Sequence, residues 1–131
     1  MNVKAVKTYL LNKPASIEDF PFGDQAAVYK VNGKMFALCS SLASAEYENR
    51  DRVNLKCDPE QAFILRDIFD AVIPGYHMNK KHWNTVILNG SIPPGEIERM
   101  IDHSYGLVVK GLPKKQRTAL EIKYGPDNLY R

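Results

Sequence analysis

The sequence predicts an α+β domain in which helices pack on one face of an antiparallel β-sheet. Strand-like segments are joined by short turns, so neighbouring strands must run antiparallel. Segments with helical periodicity stand at both ends of the chain and once between the strands. The length of 131 residues, with 44% hydrophobic and 25% charged residues, suits one globular domain. We therefore predict a single domain that spans residues 1–131.

The first predicted element is a helix over residues 3–11, where apolar side chains recur on one helical face. Pro14 ends this helix, because the residue before a proline is pushed out of the helical region. Residues 15–24 are predicted to form a loop, with a short helical turn at Ser16 as the alternative.

A β-hairpin is the clearest local signal in the chain. Asn32 and Gly33 both tolerate the positive φ of a tight turn, and strand formers flank them at 26–31 and 35–40. The hairpin predicts the first two strands of the sheet.

A third strand and a helix follow a polar stretch at 42–51 that is predicted to be a loop. Residues 52–57 alternate between apolar and polar, which predicts a strand with one wet face. Asp58 is the predicted N-cap and Pro59 the first residue of a helix whose apolar stripe reaches residue 72.

The second half is predicted to contain two more strands and two helices. The strands are expected at 76–78 and 83–88. A long helix begins at Pro93 or Pro94, and a last helix runs from about 113 to 123 before Gly125. Helices on one side of this sheet would leave its other face open.

The net charge of +3 comes from 18 basic and 15 acidic residues and is too small to identify a partner. Its distribution is more informative, because the strand regions are basic and the helix between them is acidic. Such polarity can orient a protein toward a polyanion. The sequence contains no apolar run of about 20 residues, so no membrane partner is expected. Cys39 and Cys57 are interpreted as buried thiols in the reducing cytoplasm, with a disulfide as the alternative.

Two groups of basic residues are candidates for binding nucleic acid. Lys80 and Lys81 could neutralise phosphates, and Trp83 beside His82 could stack on a base. The opposing interpretation makes the lysines solvated turn residues and places Trp83 in the core, which we favour for the tryptophan. The second group lies on adjacent strands or at the first turn and consists of Lys30, Lys34, Arg52 and Lys56. An ordinary wet strand face is the alternative for this group.

Metal and catalytic chemistry find no support in the residue spacing. His77, His82 and His103 form no zinc-type pair with each other or with the cysteines. Ser104 adjoins His103, but neighbouring residues on a helix point in different directions. We predict no catalytic residues, no metal site and no cofactor, and hence no enzyme.

The segment His-Met-Asn-Lys-Lys-His-Trp-Asn-Thr-Val at 77–86, Leu-Asn-Gly at 88–90 and Ile-Asp-His-Ser-Tyr at 101–105 resemble the MmcQ/YjbR family. Lys-Pro at 13–14 and Leu-Lys-Cys at 55–57 match its layout, so the resemblance covers nearly the whole chain. It implies a frataxin-like (CyaY-like) fold and DNA binding through a double wing of two β-hairpins, here at 26–40 and 76–88. It implies no catalytic reaction. Frataxin-like iron binding is not expected, because the first helix carries lysines and no acid.

Two functional hypotheses result. The first is a non-catalytic DNA-binding protein, monomeric and salt-sensitive in its contact with duplex DNA. The second is a module that binds a protein or a small molecule on the open face of the sheet.

Overall fold

The computed structural model describes residues 1–41, 51–75 and 78–131. Its helices and strands follow one another in an order close to the predicted one. They are α1 Val3–Leu11, β1 Ser16–Asp19, β2 Ala26–Val31, β3 Lys34–Ser40, β4 Arg52–Lys56, α2 Pro59–Ile68, β5 Val72–Pro74, β6 Trp83–Ile87, α3 Pro94–Lys110, α4 Lys114–Tyr124 and α5 Pro126–Leu129.

The strands form one six-stranded sheet in the order β1-β2-β3-β4-β6-β5. Every neighbouring pair is antiparallel. The core lies between one face of this sheet and the helices, so the predicted fold class is confirmed. Buried side chains of the helices that contribute to the core include Val6, Leu10, Ala62, Leu65, Ile97, Ile101 and Leu120.

The predicted β2–β3 hairpin is present and its turn has the expected geometry. Asn32 has a φ of 49° and Gly33 a φ of 79°, which a two-residue turn between twisted strands requires. The register shifts between Tyr29 and Lys30, and this bulge brings Phe36 into the core in addition to Ala37.

Helix α3 is joined to the centre of the sheet by a buried hydroxyl group. Ser104 Oγ donates to the carbonyl oxygen of Phe36 at 2.6 Å and accepts from the backbone N–H of Lys56 at 2.8 Å. The ring of Tyr105 meets the ring of Phe36 edge to face, with centroids 5.2 Å apart. The hydroxyl of Tyr105 donates to the carbonyl of Pro14 at 2.6 Å. These contacts fix α3 over β3 and β4.

Three local predictions were wrong. Residues of β1 form an edge strand where a loop was predicted, and helix α2 ends at Ile68. The segment that was assigned to the end of α2 therefore contains strand β5. Of the strand predicted at 76–78, residues 76 and 77 lie outside the described residues, and Met78 belongs to no strand. The loop predicted at 42–51 also lies outside them, apart from Asp51.

The sheet face opposite the helices was predicted to be open, and over the central strands it is not. Asn54 and Thr85 are 5% and 0% exposed, and Thr85 Oγ1 donates to Asn54 Oδ1 at 2.6 Å. Arg52 is only 6% exposed on the same face. A broad accessible sheet surface is therefore not present at β4 and β6, because polar side chains are buried there.

Both cysteines are buried free thiols, as predicted. Burial raises the pKa of Cys39 to about 12 and that of Cys57 to about 11, so both remain protonated at neutral pH. Among the described residues, no helix has the length and apolar character needed to cross a membrane.

Candidate nucleic-acid interface

The two lysine-bearing turns lie at the same end of the sheet. Val31 pairs with Lys34 where β2 turns into β3, and Ala37 pairs with Leu55 near the end of β4. Lys56 pairs with Trp83, so β6 begins where β4 ends. The β2–β3 turn, the last residue of β4 and the connection from β5 to β6 consequently lie at the same end of the strands. We call this end of the sheet the turn end.

The separation of the two turns follows from the strand order. The midline of the β2–β3 hairpin and that of the β5–β6 pair are three strand spacings apart. At about 4.8 Å per spacing, this gives roughly 14 Å. The major groove of B-DNA is about 12 Å wide, so the two turns have the spacing to contact both of its phosphate rims.

The connection between β5 and β6 is held by its own backbone and by Asn79. The Oδ1 of Asn79 accepts from the backbone N–H of Lys81 at 3.0 Å, a contact that is typical of asparagine in turns. The carbonyl of Asn79 accepts from the N–H groups of His82 and Trp83 at 3.1 and 2.9 Å. The N–H of Cys57 donates to the carbonyl of His82 at 2.7 Å. The lysine-bearing turn is thus joined directly to the end of β4.

Gly75 allows the base of this connection to close. Its N–H donates to the carbonyl of Trp83 at 2.9 Å. A Cβ at this position would lie 2.8 Å from both the Cβ and the carbonyl oxygen of Trp83. A side chain here would push the two strands apart.

Arg66 of helix α2 makes a three-part contact with the same turn. Its Nε donates to Asn84 Oδ1 at 2.7 Å, and its Nη2 donates to the carbonyl oxygens of Lys80 and Trp83, the latter at 3.2 Å. The planar guanidinium matches several acceptors at once. A helix whose other charged residues are mostly acidic therefore supplies the cation that orders the second turn.

The charge at the turn end is predominantly positive. Lys34, Lys80 and Lys81 are exposed, and Lys56 and His82 are partly exposed. Residues 32–34 and 75–82 contain no Asp or Glu. The acid nearest to Lys56 along the chain is Asp58, whose side chain accepts from the N–H of Gln61 as the predicted N-cap of α2. Three exposed ammonium groups on two turns are available to an anionic partner.

Two of the predicted binding residues stand apart from the exposed lysines of the turn end. Arg52 is buried and lies at the opposite end of β4, so its assignment to an accessible basic face was wrong. Lys30 lies 3.4 Å from Asp19 of β1, and this partly exposed ion pair offsets its charge in part. An accessible basic surface therefore exists at the turn end and not across the strands.

Trp83 was expected in the core, and that expectation was wrong. It is partly exposed and stands outside the cluster of core residues. It shares the face of Lys56, away from the helices, whereas Asn84 points to the helix side, opposite Trp83. An indole beside the turn lysines is in a position to contact a ligand held there.

The remaining candidate ligands do not converge. In the described segments, no three side chains of His, Cys, Asp or Glu are placed to hold a metal ion together. His77 lies outside those segments. His103 Nε2 accepts from the backbone N–H of Asp58 at 3.2 Å. Burial lowers the pKa of His103, so the imidazole is neutral at pH 7.

Sequence reasoning missed Arg66 and Asn84. Arg66 lies on the helix that was identified only as acidic, and Asn84 lies in a predicted strand. The only hint in the sequence was a single arginine on an acidic helix that precedes a turn. Its hydrogen bonds to three acceptors depend on tertiary packing, which the sequence pattern does not reveal.

Comparison with known proteins agrees with the fold and gives no activity. The family model for YjbR matches residues 11–107. The uncharacterized protein YjbR of Escherichia coli K12 is 36% identical over 120 residues, which are 92% of this chain and 98% of that protein. The uncharacterized protein YbdF of Escherichia coli O157:H7 is 38% identical over 98 residues, or 75% of this chain and 76% of that protein.

Solved structures are similar at the level of the whole fold. A crystal structure from Deinococcus radiodurans, with a DUF419 domain, has a TM-score of 0.79 and 36% identity, covering 91% of this chain and 87% of that one. A solution NMR structure from Pseudomonas syringae has a TM-score of 0.70 and 31% identity, covering 82% of this chain and 92% of that one.

Proposed function

Since the chain belongs to the YjbR family, in which a double wing of two hairpins is the expected DNA-binding element, we propose that it is a non-catalytic DNA-binding protein. The contact is made by the turn end of the sheet. Its exposed lysines bind backbone phosphates of duplex DNA, and the binding is electrostatic and largely independent of base sequence.

The observation that carries this proposal is the common position of the two turns. By the strand register, Lys34 and the Lys80–Lys81 pair lie at the turn end of the sheet, on turns without acidic residues. Hydrogen bonds from Arg66 and Cys57 hold the second turn in place, so its lysines are presented in a fixed region. Preorganised cations lose less entropy on binding than cations on an unsupported loop.

The proposal is tested with Lys80→Glu combined with Lys81→Glu. Fluorescence polarisation with a labelled duplex at low and moderate salt measures the affinity. Three phosphate contacts predict a slope of log K against log salt of about −2.7, since each contact contributes about −0.9. The double variant should bind at least roughly tenfold more weakly at low salt, and its slope should become shallower by about 1.8.

The matched control is Lys114→Glu combined with Lys115→Glu. These lysines are exposed at the start of α4, which is not part of the sheet, and the change in net charge is the same. The control should retain binding to within about twofold if position matters more than net charge. Absence of binding by the natural protein at low salt, or equal losses in the two double variants, would contradict the proposal.

A further inference from the structure

A small cavity lies on the helix side of the sheet, between the end of β4, helix α2 and helix α3. It is separate from the exposed turn lysines. Its polar lining comes from Lys56, Cys57, Gln61, Asn84, Arg99 and His103. Its volume is about 10 Å³, which is about the space that a single oxygen-sized group needs. We call this cavity the α2–α3 niche.

The niche contains a buried donor without an acceptor. Asn84 is 2% exposed, and its Nδ2 has no hydrogen-bond partner among the described residues. Its Oδ1 accepts from Arg66 Nε at 2.7 Å, which fixes the orientation of the amide because that guanidinium nitrogen needs an acceptor. Arg66 does not line the niche, so Nδ2 is the amide atom left to face it. An unpaired buried N–H of this kind is destabilising, so a ligand atom that accepts from it is favoured.

The other polar groups of the niche favour an electron-rich ligand. None of its lining residues is acidic, and Arg99 is cationic. The side chain of Lys56 lies on the opposite face of the sheet, so its charge does not contribute to the niche. The Nε2 of His103 already accepts from Asp58, so the neutral ring keeps its proton on Nδ1 and offers a donor. The thiol of Cys57 is buried and free.

Arg99 connects the niche with solvent. Half of its side chain is exposed. Its Nε and Nη2 donate to the carboxylate of Glu96 at 3.1 and 2.7 Å. These contacts leave Nη1 for a ligand at the mouth. A surface pair of this kind is weak, so Glu96 offsets the charge of Arg99 only in part.

We propose that the α2–α3 niche binds the carboxylate of a small organic acid. One carboxylate oxygen enters the cavity and accepts from Asn84 Nδ2, while the second oxygen stays at the mouth near Arg99. The body of the acid remains outside, because the cavity has space for little more than one oxygen. This site does not depend on DNA binding at the turn end.

The test is a titration of the ¹⁵N-labelled protein with sodium acetate, with sodium chloride at equal ionic strength as the reference. The side-chain amide signal of Asn84 should shift and saturate with acetate alone, with a Kd on the order of 1 mM. Acetamide, which has the same shape without the charge, should bind at least about tenfold more weakly. A shift of equal size with chloride, or no shift with acetate, would overturn the proposal. So would an Asn84 amide that exchanges magnetisation with water and ignores acetate, because water then fills the niche.

Asn84→Asp is the decisive variant, because it keeps an acceptor for Arg66 and replaces the donor by an oxygen. Acetate binding, followed through the backbone signals of Cys57 and His103, should be lost in this variant. Asn89→Asp is the matched control, since Asn89 is exposed in a turn and its Oδ1 accepts only from Ser91 among the described contacts. Arg99→Gln changes an exposed side chain and should fold, so it tests the site independently. It should weaken acetate binding several-fold, and unchanged binding would contradict the role of Arg99.

Discussion

The buried hydroxyl of Ser104 shows how a single residue can join two layers. It satisfies the carbonyl of Phe36 and the N–H of Lys56, two backbone groups on neighbouring strands. Phe36 and Lys56 lie just beyond Ala37 and Leu55, the last paired residues of β3 and β4, and a side chain from the overlying helix bonds both groups. The sequence placed Ser104 on a predicted helix but did not indicate which groups it bonds.

Ser104→Ala is therefore expected to lower the free energy of unfolding by about 1–3 kcal/mol, because it leaves a buried donor and a buried acceptor unpaired. Urea unfolding followed by circular dichroism measures the change. Ser91→Ala is the control, since Ser91 is exposed and, within the described segments, its side chain bonds only Asn89 of the same turn. That change should stay within about 0.5 kcal/mol. Similar values for the two variants would mean that water replaces the Ser104 hydroxyl.

At the scale of elements, the sequence was most informative where local chemistry decides the structure. The Asn32-Gly33 turn, the Asp58 cap and the start of α3 all depend on residues within a few positions of one another. Strand β1 was missed because its residues are polar and mostly exposed, and it becomes a strand only by pairing with β2.

The end of α2 was misplaced for a related reason. Residues 69–73 contain four further apolar side chains and no Gly or Pro, so the helical stripe and a short strand fit the same sequence. The structure ends the helix at Ile68, which is 62% exposed, and Phe69 is already extended. Pairing of β5 with β6 decided between the two patterns, and this contact is not local.

Helix α2 also determines the arrangement of the second turn, and Arg66→Lys tests this. Lysine keeps the charge but lacks the planar fork that reaches Asn84, Lys80 and Trp83. We expect a loss of about 1–3 kcal/mol in the free energy of unfolding. We also expect weaker DNA binding, although every turn lysine is retained.

The control for this change is Arg117→Lys on α4, which alters a partly exposed pair with Glu121 at 4.0 Å and one hydrogen bond to the carbonyl of Lys110 at 3.3 Å. It should change stability by less than about 0.5 kcal/mol and leave DNA affinity unaltered. If Arg66→Lys lowers stability while DNA affinity stays the same, then Arg66 supports the fold but does not position the turn for DNA.

For the whole molecule, the sequence anticipated the layers but not the surfaces. Periodicity identifies which face of a strand is apolar, and the helices were correctly placed against it. It does not report what covers the other face, so burial of Arg52, Asn54 and Thr85 there was unexpected. The turn end remains a candidate site because the exposure of a lysine in a turn is decided by nearby residues. A continuous basic face would instead require exposed basic side chains on the same face of several strands that are distant in the sequence.

The free energy of unfolding should decrease both at acidic and at alkaline pH. The pKa of His103 is lowered by burial, an effect to which Arg99 and Lys110 add and which Asp58 opposes. The unfolded chain therefore binds a proton more readily, and stability should decrease as pH falls below about 6.5. Protonation also removes the acceptor that His103 offers to the N–H of Asp58.

On the alkaline side, burial raises the pKa of Cys39 to about 12 and that of Cys57 to about 11, from 9.0 in both cases. Each thiol releases its proton first in the unfolded chain, so its contribution is complete below pH 9 and is lost as pH rises toward the folded value. Between these limits each thiol should reduce the free energy of unfolding by about 1.4 kcal/mol per pH unit. Urea unfolding in buffers from neutral to about pH 10.5 measures this slope. Cys57→Ala should be less stable at neutral pH but should show a shallower alkaline slope, and an unchanged slope would mean that other groups, such as the buried tyrosines, control the alkaline limit.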